Sequence, residues 1–200
     1  MIELKYIVIV VIGYLLGSFC ASIPISKKVY GKDVRTEGSG NAGATNVARV
    51  FGLKAGLATL LCDAAKTAIA MLVGAYLCGE VGKAVAGAAC IIGHCFPIYF
   101  GFKGGKGVSV AAALGLFTGI RVFAAIACVF FLTAGLSKKV SLGSICAAIA
   151  LPLSTLIFAC PKPILFMNIF SGVLVIVMHR QNIVRLINGT EADFKPKKCN

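Results

Sequence analysis

The chain is organised around one small, polar stretch, Gly38-Ser39-Gly40-Asn41-Ala42-Gly43-Ala44-Thr45-Asn46, which lies between two strongly apolar segments. Its glycines allow tight turns and a close approach to a ligand, and Arg49 adds a positive charge one turn later. Successive backbone N–H groups in such a loop form an anion-binding nest, more so where a helix begins at its end. The stretch alone leaves two interpretations open: a phosphate cradle at a membrane surface, or an ordinary glycine-rich loop between two helices.

The composition is that of an integral membrane protein. Of 200 residues, 58% are hydrophobic and 14% are charged, whereas soluble domains are about 45–50% apolar. The formal net charge is +13, from 20 Lys and Arg against 7 Asp and Glu. In so apolar a chain these cations must lie in short connections, where membrane topology and phosphate binding explain them better than nucleic acid does. The length favours one membrane-embedded domain over residues 1–200.

Hydrophobic runs predict an all-α integral membrane protein, a polytopic helical bundle. Five apolar segments stand apart from one another: residues 6–25, 53–77, 83–99, 141–159 and 164–178. The run 108–135 is too long for one helix across a core of about 30 Å and too short for two full helices. We therefore expect a pair of short helices that turns near residues 119–121. The total is seven membrane segments; the alternative is five, with two long tilted helices covering the last two pairs.

Basic clusters predict the orientation. Residues 27–35, Lys138-Lys139, His179-Arg180 and the basic tail at 195–198 should face the cytoplasm by the positive-inside rule. This arrangement places the N-terminus outside and the C-terminus in the cytoplasm. On this topology every polar motif faces the cytoplasm.

Two patterns lie inside the apolar segments. Gly13 and Gly17 have the G-x-x-x-G spacing that suits close helix packing. Asp63 and Lys66 share a helix face, where they can pair, and we favour a structural ion pair over the wall of a site.

The nine cysteines include no C-x-x-C motif, which indicates reduced thiols, and no histidine or acidic cluster predicts a metal site.

A second glycine-rich loop, Phe102-Lys103-Gly104-Gly105-Lys106-Gly107-Val108, opens a helix. Backbone N–H groups, the positive end of the helix dipole and two ammonium groups converge there, which predicts an anion site.

His179 and Asn182 share a face if a helix runs through them, and His179 is open to three interpretations: general base, oxyanion donor or surface residue. Neither loop fits a dinucleotide fold or a P-loop, because no apolar strand precedes the first and Gly107 stands where a P-loop has Ser or Thr.

Three motifs follow one another at a characteristic spacing. They are Gly38 to Asn46 with Arg49; Gly93-His94-Cys95-Phe96-Pro97 with residues 102–108; and His179-x-x-Asn182-Ile183-x-Arg185-Leu186 with Gly189-x-Glu191. In these motifs the chain resembles the PlsY family of bacterial membrane glycerol-3-phosphate acyltransferases, and the resemblance covers essentially the whole chain.

The resemblance implies transfer of a fatty acyl group from acyl-phosphate to the 1-hydroxyl of sn-glycerol 3-phosphate. The products are lysophosphatidic acid and phosphate, in the first acylation of bacterial phospholipid synthesis. It also implies a multi-pass protein of the bacterial cytoplasmic membrane whose active site faces the cytoplasm. The soluble enzyme PlsX would supply the acyl-phosphate, and no metal, coenzyme or nucleic acid is expected.

The expected site residues come from all three motifs. Those expected to be catalytic are His179, Asn182, Lys106 and Arg49. Those expected to bind substrate or phosphate are Ser39, Gly40, Asn41, Gly43, Thr45, Asn46, Lys103, Gly104, Gly105, Gly107, Ser144, Arg185 and Glu191. The first loop with Arg49 would hold one phosphate, and Lys106, Lys103 and Ser144 would hold the other or orient the acyl carbonyl; which loop takes which phosphate is left open.

We favour positioning and charge stabilisation over a single essential base, because a substrate phosphate oxygen can also take the hydroxyl proton. A small transporter for phosphorylated metabolites is the alternative from another class of protein. Transporters tend to show internal repeats and sites at mid-depth, whereas this sequence shows no convincing repeat and predicts its polar motifs at one face.

Overall fold

The computed structural model describes residues 2–194; the basic tail residues Lys195, Lys197 and Lys198, expected on the cytoplasmic side, lie outside the described residues. Within this range the regular structure is helical. The helices are α1 (Ile2–Ser18), α2 (Ser22–Tyr30), α3 (Ala44–Phe51), α4 (Leu53–Cys95), α5 (Val108–Thr118), α6 (Ile120–Ser137), α7 (Val140–Ile157), α8 (Lys162–Met178) and α9 (Arg180–Ile187). Short 3₁₀ turns at Val34–Thr36 and Ile98–Phe100 lie in the connections.

Among residues 2–194, four helical stretches are long and apolar enough to cross a membrane: Glu3–Tyr30, Leu53–Phe100, α6 and α7. The pair α8 and α9 makes a fifth if its 58° bend is accepted within one span. α5 has only 11 residues, roughly 16 Å of helix against an apolar core of about 30 Å. The predicted all-helical architecture is confirmed, while the number of crossings and the orientation of the termini stay predictions.

α4 is a hairpin of two helical arms. Cys78 (φ −146°, ψ 29°) and Gly79 (φ 59°, ψ −146°) interrupt it, and we call residues 53–77 arm α4a and residues 80–95 arm α4b. The two arms are in close contact directly beside the turn, since a Cβ on Gly82 would lie 2.1 Å from the carbonyl oxygen of Gly74. The predicted segments at 53–77 and 83–99 correspond to these arms, and the second arm ends earlier than predicted, at Cys95.

Small residues bring α1 against α4b. A Cβ on Gly17 would lie 2.1 Å from the Cys90 carbonyl oxygen, and one on Gly93 would lie 2.2 Å from the Tyr14 carbonyl oxygen. Without side chains at these positions, the two backbones approach closely and gain van der Waals contact. The packing role predicted for Gly13 and Gly17 is confirmed, since Gly13 meets Ala86 on the same arm.

The first predicted apolar segment, residues 6–25, lies within the helical stretch Glu3–Tyr30, which is long and apolar enough to cross a membrane. This stretch is interrupted between the end of α1 at Ser18 and the start of α2 at Ser22, where Lys66 donates hydrogen bonds to the carbonyls of Gly17 and Phe19. The break predicted near residue 119 is present, with α5 ending at Thr118 and α6 beginning at Ile120. α6 has 18 residues, so the expectation of two short helices holds for α5 alone.

Successive hairpins bring the polar connections to one end of the bundle. Gly143 of α7 packs on Ala134 of α6, and Gly172 of α8 packs on the Ala148 backbone of α7, so each helix runs antiparallel to the one before it. The end of α1 lies beside the end of α4b. Consequently the segments 19–52, 96–107, 138–139 and 179–194 meet at the same end, where the candidate site lies.

Candidate active site

The first glycine-rich loop is held in shape by Asn46. This side chain is buried, and its Oδ1 accepts a hydrogen bond from the Ser39 N–H at 2.9 Å. Its Nδ2 lies within 3.1 Å of the carbonyl oxygens of Val34, Glu37 and Asn41. The Asn46 amide therefore holds the loop together through its Nδ2 group and one lone pair of Oδ1, and its role as a substrate-binding residue stays a prediction.

The rest of this loop remains available to a ligand. Gly38 (φ 58°) and Gly40 (φ 70°) occupy the left-handed region that favours glycine. Asn41 Oδ1 accepts from the Gly43 N–H at 2.9 Å, which closes a turn directly before α3. The side chains of Ser39, Thr45 and Arg49 have no hydrogen-bond or ion-pair partner among residues 2–194. The loop thus offers free donors at the start of a helix.

A cleft of about 480 Å³ separates the first loop from the second. Arg35, Gly40, Lys103 and Gly104 contribute to its walls. Arg35 joins two other residues that line the cleft: it pairs with Asp33 at 2.8 Å and donates to the Phe100 carbonyl at 2.9 Å. The hydrogen bond from Arg35 holds the pKa of Asp33 well below its usual range. Lys103 also lines the cleft and has no acidic partner among the described residues. It therefore supplies the cleft with a cation that no carboxylate of residues 2–194 neutralises.

The second glycine-rich loop rests on His94, near the end of α4b. The Gly105 N–H donates to the His94 carbonyl at 3.1 Å. A Cβ on Gly105 would lie 2.1 Å from His94 Nε2, and one on Gly104 would lie 2.1 Å from the His94 carbonyl oxygen. Gly107, at φ 82°, then turns the chain into α5. Packing therefore requires glycine at 104 and 105, and the N–H of Gly105 is already used.

Lys106 leads a chain of polar contacts through four parts of the molecule. Its Nζ donates to Asn182 Oδ1 at 2.5 Å, and Asn182 Nδ2 donates to Glu191 Oε1 at 2.7 Å. Arg185 Nε donates to Glu191 Oε2 at 2.7 Å, and Lys139 donates to the Glu191 carbonyl. The second loop, α9, the segment after α9 and the α6–α7 connection are joined in this way.

The charged side chains around these polar contacts of Lys106 are mostly positive. Burial lowers the pKa of Lys106, and the nearby charges of Arg185 and Arg49 lower it further. Although burial opposes its ionisation, hydrogen bonds from Asn182 and Arg185 lower the pKa of Glu191. One carboxylate therefore organises several cations without neutralising them, and Arg49 lies within electrostatic reach of Lys106.

His179 lies at the bend between α8 and α9 and is only 3% exposed, so its interpretation as a surface residue is wrong. Its Nδ1 is 2.8 Å from the Val175 carbonyl. A carbonyl can only accept, so Nδ1 carries the proton and Nε2 keeps a lone pair. Burial lowers the pKa of His179, and the charge of Lys106 adds to the effect. A neutral ring of this tautomer can accept a proton at Nε2, whereas an oxyanion donor there needs the opposite tautomer.

The predicted residues therefore fall into two groups that the second loop joins. Lys106, Asn182, Arg185 and Glu191 are in direct contact, with Arg49 and His179 close enough to interact electrostatically with this group. The residues of the first loop border the cleft that Lys103 also lines. Ser144 is buried, and its Oγ donates to the Val140 carbonyl in its own helix at 2.9 Å; within residues 2–194 no hydrogen bond joins its side chain to either group.

Three features of the site were not predicted. Arg35 lines the cleft, and its place in the Asp33-Val34-Arg35 sequence ahead of the first loop was the available signal. Lys139 binds the segment after α9, although its basic character alone indicated only topology. The Asp63–Lys66 ion pair is confirmed at 2.7 Å, but its contact with His94 joins residues 28 positions apart, which no local pattern indicates.

This arrangement can bind two anions side by side and stabilise negative charge that develops between them. It combines a free-donor loop at a helix start, a lysine-lined cleft and a second cluster of cations with a neutral histidine beside it. Such a site suits group transfer between phosphorylated molecules without a covalent enzyme intermediate.

Comparison with known proteins gives consistent matches over nearly the whole chain. The family model described as glycerol-3-phosphate acyltransferase matches residues 7–189. The glycerol-3-phosphate acyltransferase of Syntrophotalea carbinolica is 40% identical and aligns over 96% of this chain and 98% of its own length. That of Geotalea daltonii is 42% identical and aligns over 94% and 97%.

Two solved structures share the fold. The glycerol 3-phosphate form of PlsY (YgiH), an integral membrane glycerol 3-phosphate acyltransferase, superimposes with a TM-score of 0.81 at 38% identity, covering 95% of this chain and 96% of that chain. Its lysophosphatidic acid form gives a TM-score of 0.80 at 36% identity, covering 95% of each chain.

Proposed function

Since the chain belongs to the family of membrane glycerol-3-phosphate acyltransferases, we propose that it transfers a fatty acyl group from acyl-phosphate to the 1-hydroxyl of sn-glycerol 3-phosphate. The products are lysophosphatidic acid and phosphate. The related PlsY has a glycerol 3-phosphate form and a lysophosphatidic acid form, which supports this acceptor and this product. Acyl-phosphate as the donor rests on the resemblance and on the site.

The main support for this proposal is that the second glycine-rich loop places one lysine in each of the two groups of site residues. Lys103 lines the cleft beside the first loop, whereas Lys106, three residues on, reaches Asn182. Two phosphorylated substrates need two anion sites at a distance that lets the acyl carbon and the hydroxyl meet. A loop with one cation on each side supplies this geometry.

We assign roles to the site residues from the side-chain donors and charges that they can offer to a substrate. Ser39, Thr45 and Arg49 bind one phosphate, together with backbone N–H groups at the start of α3. Lys103 and Lys106 bind the other phosphate or polarise the acyl carbonyl. Asn182, held between Lys106 and Glu191, orients Lys106. Arg185 holds Glu191 in place for this purpose.

The reaction forms one bond and breaks one bond. The 1-hydroxyl oxygen attacks the acyl carbon, the carbon–oxygen bond to phosphate breaks, and the phosphate leaves with both bonding electrons. The hydroxyl proton goes to His179 Nε2 or to a phosphate oxygen of a substrate. Most of the rate enhancement comes from positioning and from cations that face the developing charge.

We place the protein in the bacterial cytoplasmic membrane, with the site at the cytoplasmic face and one domain over residues 1–200. Seven crossings accommodate α1, the two arms of α4 and helices α5 to α8, with the N-terminus outside. The end of the bundle that carries the site also carries most of the basic connections, which agrees with the positive-inside rule. The soluble acyl-phosphate-forming enzyme PlsX is the proposed supplier of the donor.

A direct assay tests the proposal. The purified protein in lipid is incubated with acyl-phosphate and glycerol 3-phosphate, and both released phosphate and lysophosphatidic acid are measured. We expect equal amounts of the two products and no lysophosphatidic acid when acyl-CoA replaces acyl-phosphate. Absence of both products, under conditions in which a related acyltransferase is active, would contradict the proposed reaction.

A further inference from the structure

A buried cluster of charged and polar side chains lies behind the second glycine-rich loop. It consists of Asp63 and Lys66 on α4a, His94 on α4b and Ser109 on α5, all at most 8% exposed. Lys66 Nζ is 2.7 Å from Asp63 Oδ1 and 3.0 Å from His94 Nδ1, and Ser109 Oγ donates to Asp63 Oδ2 at 2.5 Å. None of these residues lines the cleft or contacts Asn182 or Glu191, so the proposed mechanism does not use them.

The three side chains Asp63, Lys66 and His94 contact one another, since His94 Nδ1 also lies 3.4 Å from Asp63 Oδ1. An ammonium group has no lone pair, so His94 Nδ1 accepts from Lys66. The Lys66 cation then balances the Asp63 carboxylate. Apolar side chains of similar volume usually fill a buried space at least as stably as an ion pair does. Stability alone therefore gives no reason for charges here, whereas the fixed directions of their hydrogen bonds do.

Lys66 connects the cluster to the break between α1 and α2. Its Nζ donates to the carbonyls of Gly17 and Phe19, each at 3.0 Å. These carbonyls lie at the end of α1, where the helix itself provides no partner. One ammonium group thus fixes α1 relative to both arms of the α4 hairpin.

His94 connects the cluster to the second loop. The Gly105 N–H donates to the His94 carbonyl, and the imidazole lies so close to Gly105 that no side chain fits there. The next residue is Lys106, whose Nζ contacts Asn182. A shift or rotation of His94 therefore moves the backbone from which Lys106 extends.

We propose that Asp63 and Lys66 are positioning residues: through His94 they fix the second loop and so the place of the Lys106 ammonium group in the site. This inference rests on the proposed function only where activity is used to detect it. A structural role alone would affect the stability of the bundle and leave the loop and the kinetics unchanged.

The test removes both charges together. Lys66→Met alone leaves the Asp63 carboxylate buried without its cation, which strongly destabilises a protein. The double variant Asp63→Asn/Lys66→Met keeps side chains of similar shape and leaves no unpaired charge, so we expect it to fold, with a melting temperature lowered by the hydrogen bonds that the Gly17 and Phe19 carbonyls lose. We also expect kcat/KM to fall about 10- to 100-fold, because a misplaced catalytic group costs this much. A kcat/KM within about twofold of the unmodified protein would overturn the proposal.

Asn168→Leu is the matched control. Asn168 is fully buried on α8 and bonds Thr118 and Thr155 away from the site, so its loss should lower the melting temperature and leave kcat and KM unchanged. Equal losses of kcat/KM in the control and in the double variant would show a general packing effect and overturn the positioning role.

Hydrogen–deuterium exchange gives a readout that needs no activity. In the double variant, amides of residues 103–107 should exchange about tenfold faster than in the unmodified protein, and in Asn168→Leu they should not. Unchanged exchange would overturn the proposal. If the unmodified protein transfers no acyl group, the proposed function fails, and the exchange of this loop still decides whether Asp63 and Lys66 position it.

Discussion

At the scale of single residues, the tautomer of His179 determines what this side chain can do. Its Nδ1–H is committed to the Val175 carbonyl, so Nε2 can accept a proton but the neutral ring cannot donate one from that atom. Loss of an essential general base costs about 10²- to 10⁴-fold in rate. Because substrate phosphate can take the same proton, we expect a smaller loss.

The variant His179→Gln measures this difference. We expect a kcat within about 100-fold of the unmodified enzyme and a raised KM for glycerol 3-phosphate, because His179 lies close enough to Lys106 to interact with its charge. Steady-state rates with each substrate varied in turn give both constants. Gln181→Ala, an exposed neighbour on α9, serves as the control. A larger fall in kcat with unchanged KM would identify His179 as an indispensable base.

The buried state of His179 also predicts how stability depends on pH. Burial lowers its folded-state pKa below the ordinary value of 6.5, so between the two values the unfolded chain binds more protons. Stability that is present above pH 6.5 is therefore lost as the pH falls towards the folded pKa. Melting temperatures from about pH 5 to pH 8 should fall more steeply on the acid side for the unmodified protein than for His179→Gln. Parallel curves would contradict this.

At the scale of elements, the segment after α9 acts as a strap across the site. Glu191 in this segment holds Asn182 and Arg185 through its carboxylate, and its carbonyl accepts from Lys139. The Phe194 N–H donates to the Lys138 carbonyl at 3.0 Å. The strap therefore joins α9 to the α6–α7 connection and sets the position of Asn182 beside Lys106.

Glu191→Gln should loosen the strap at the site. The amide keeps one acceptor but loses the charge that binds Arg185, and we expect kcat/KM to fall about tenfold or more, since charge-assisted hydrogen bonds are about twice as strong as neutral ones. Asp193→Asn, which affects only the outer contact with Lys139 at 3.3 Å, is the control and should change kcat/KM little. Equal effects of the two substitutions would mean that the strap acts through its overall charge.

The α4 hairpin makes a second prediction for an element. In Gly82→Ala the new Cβ would lie 2.1 Å from the Gly74 carbonyl oxygen, so the arms must separate, at a cost of about 1–3 kcal/mol. The melting temperature in lipid or detergent should fall accordingly. Gly135→Ala, where a Cβ meets nothing within 4 Å, should leave it unchanged or raise it. Equal stability of the two variants would contradict the close contact of the arms.

The elements show what a sequence can and cannot specify here. Apolar length and glycine spacing predicted both arms of α4, the break at residue 119 and the packing of α1. The break after Ser18 was not predicted, because the carbonyls there are bound by Lys66, 48 positions later. In the same way the sequence did not predict that Asn46 shapes the loop, because this role depends on its three carbonyl partners at Val34, Glu37 and Asn41. Contacts within about four residues were predictable, and contacts through space were not.

At the scale of the whole molecule, the gathering of the polar motifs at one end was the prediction that mattered most. The basic motifs alone indicated a common face, and the antiparallel hairpins bring them together there. What the charge pattern could not give was the division into two groups with the second loop between them, because that depends on how closely α4b, α5 and α9 pack.

The crossing number remains a prediction for the whole molecule, and residue 120 tests it. Ile120 is 68% exposed at the start of α6, at the end of the bundle opposite the site. A cysteine introduced there, with Cys78 and Cys160 at the same end and the exposed Cys62 and Cys128 replaced, should react with a membrane-impermeant reagent added outside intact cells. A cysteine at Lys103 should react only after the membrane is opened. Complete protection of position 120 would favour five crossings.

The internal pairing of Asp63 and Lys66 has a consequence for biogenesis. These residues are made before His94 and Ser109, so α4a leaves the ribosome without the rest of its cluster. Because the two charges lie three residues apart on one helix, they can neutralise each other inside that helix while it enters the bilayer. The first arm is thus ready for insertion before its partner has been synthesised, and the very short turn at Cys78 and Gly79 then brings the second arm against it.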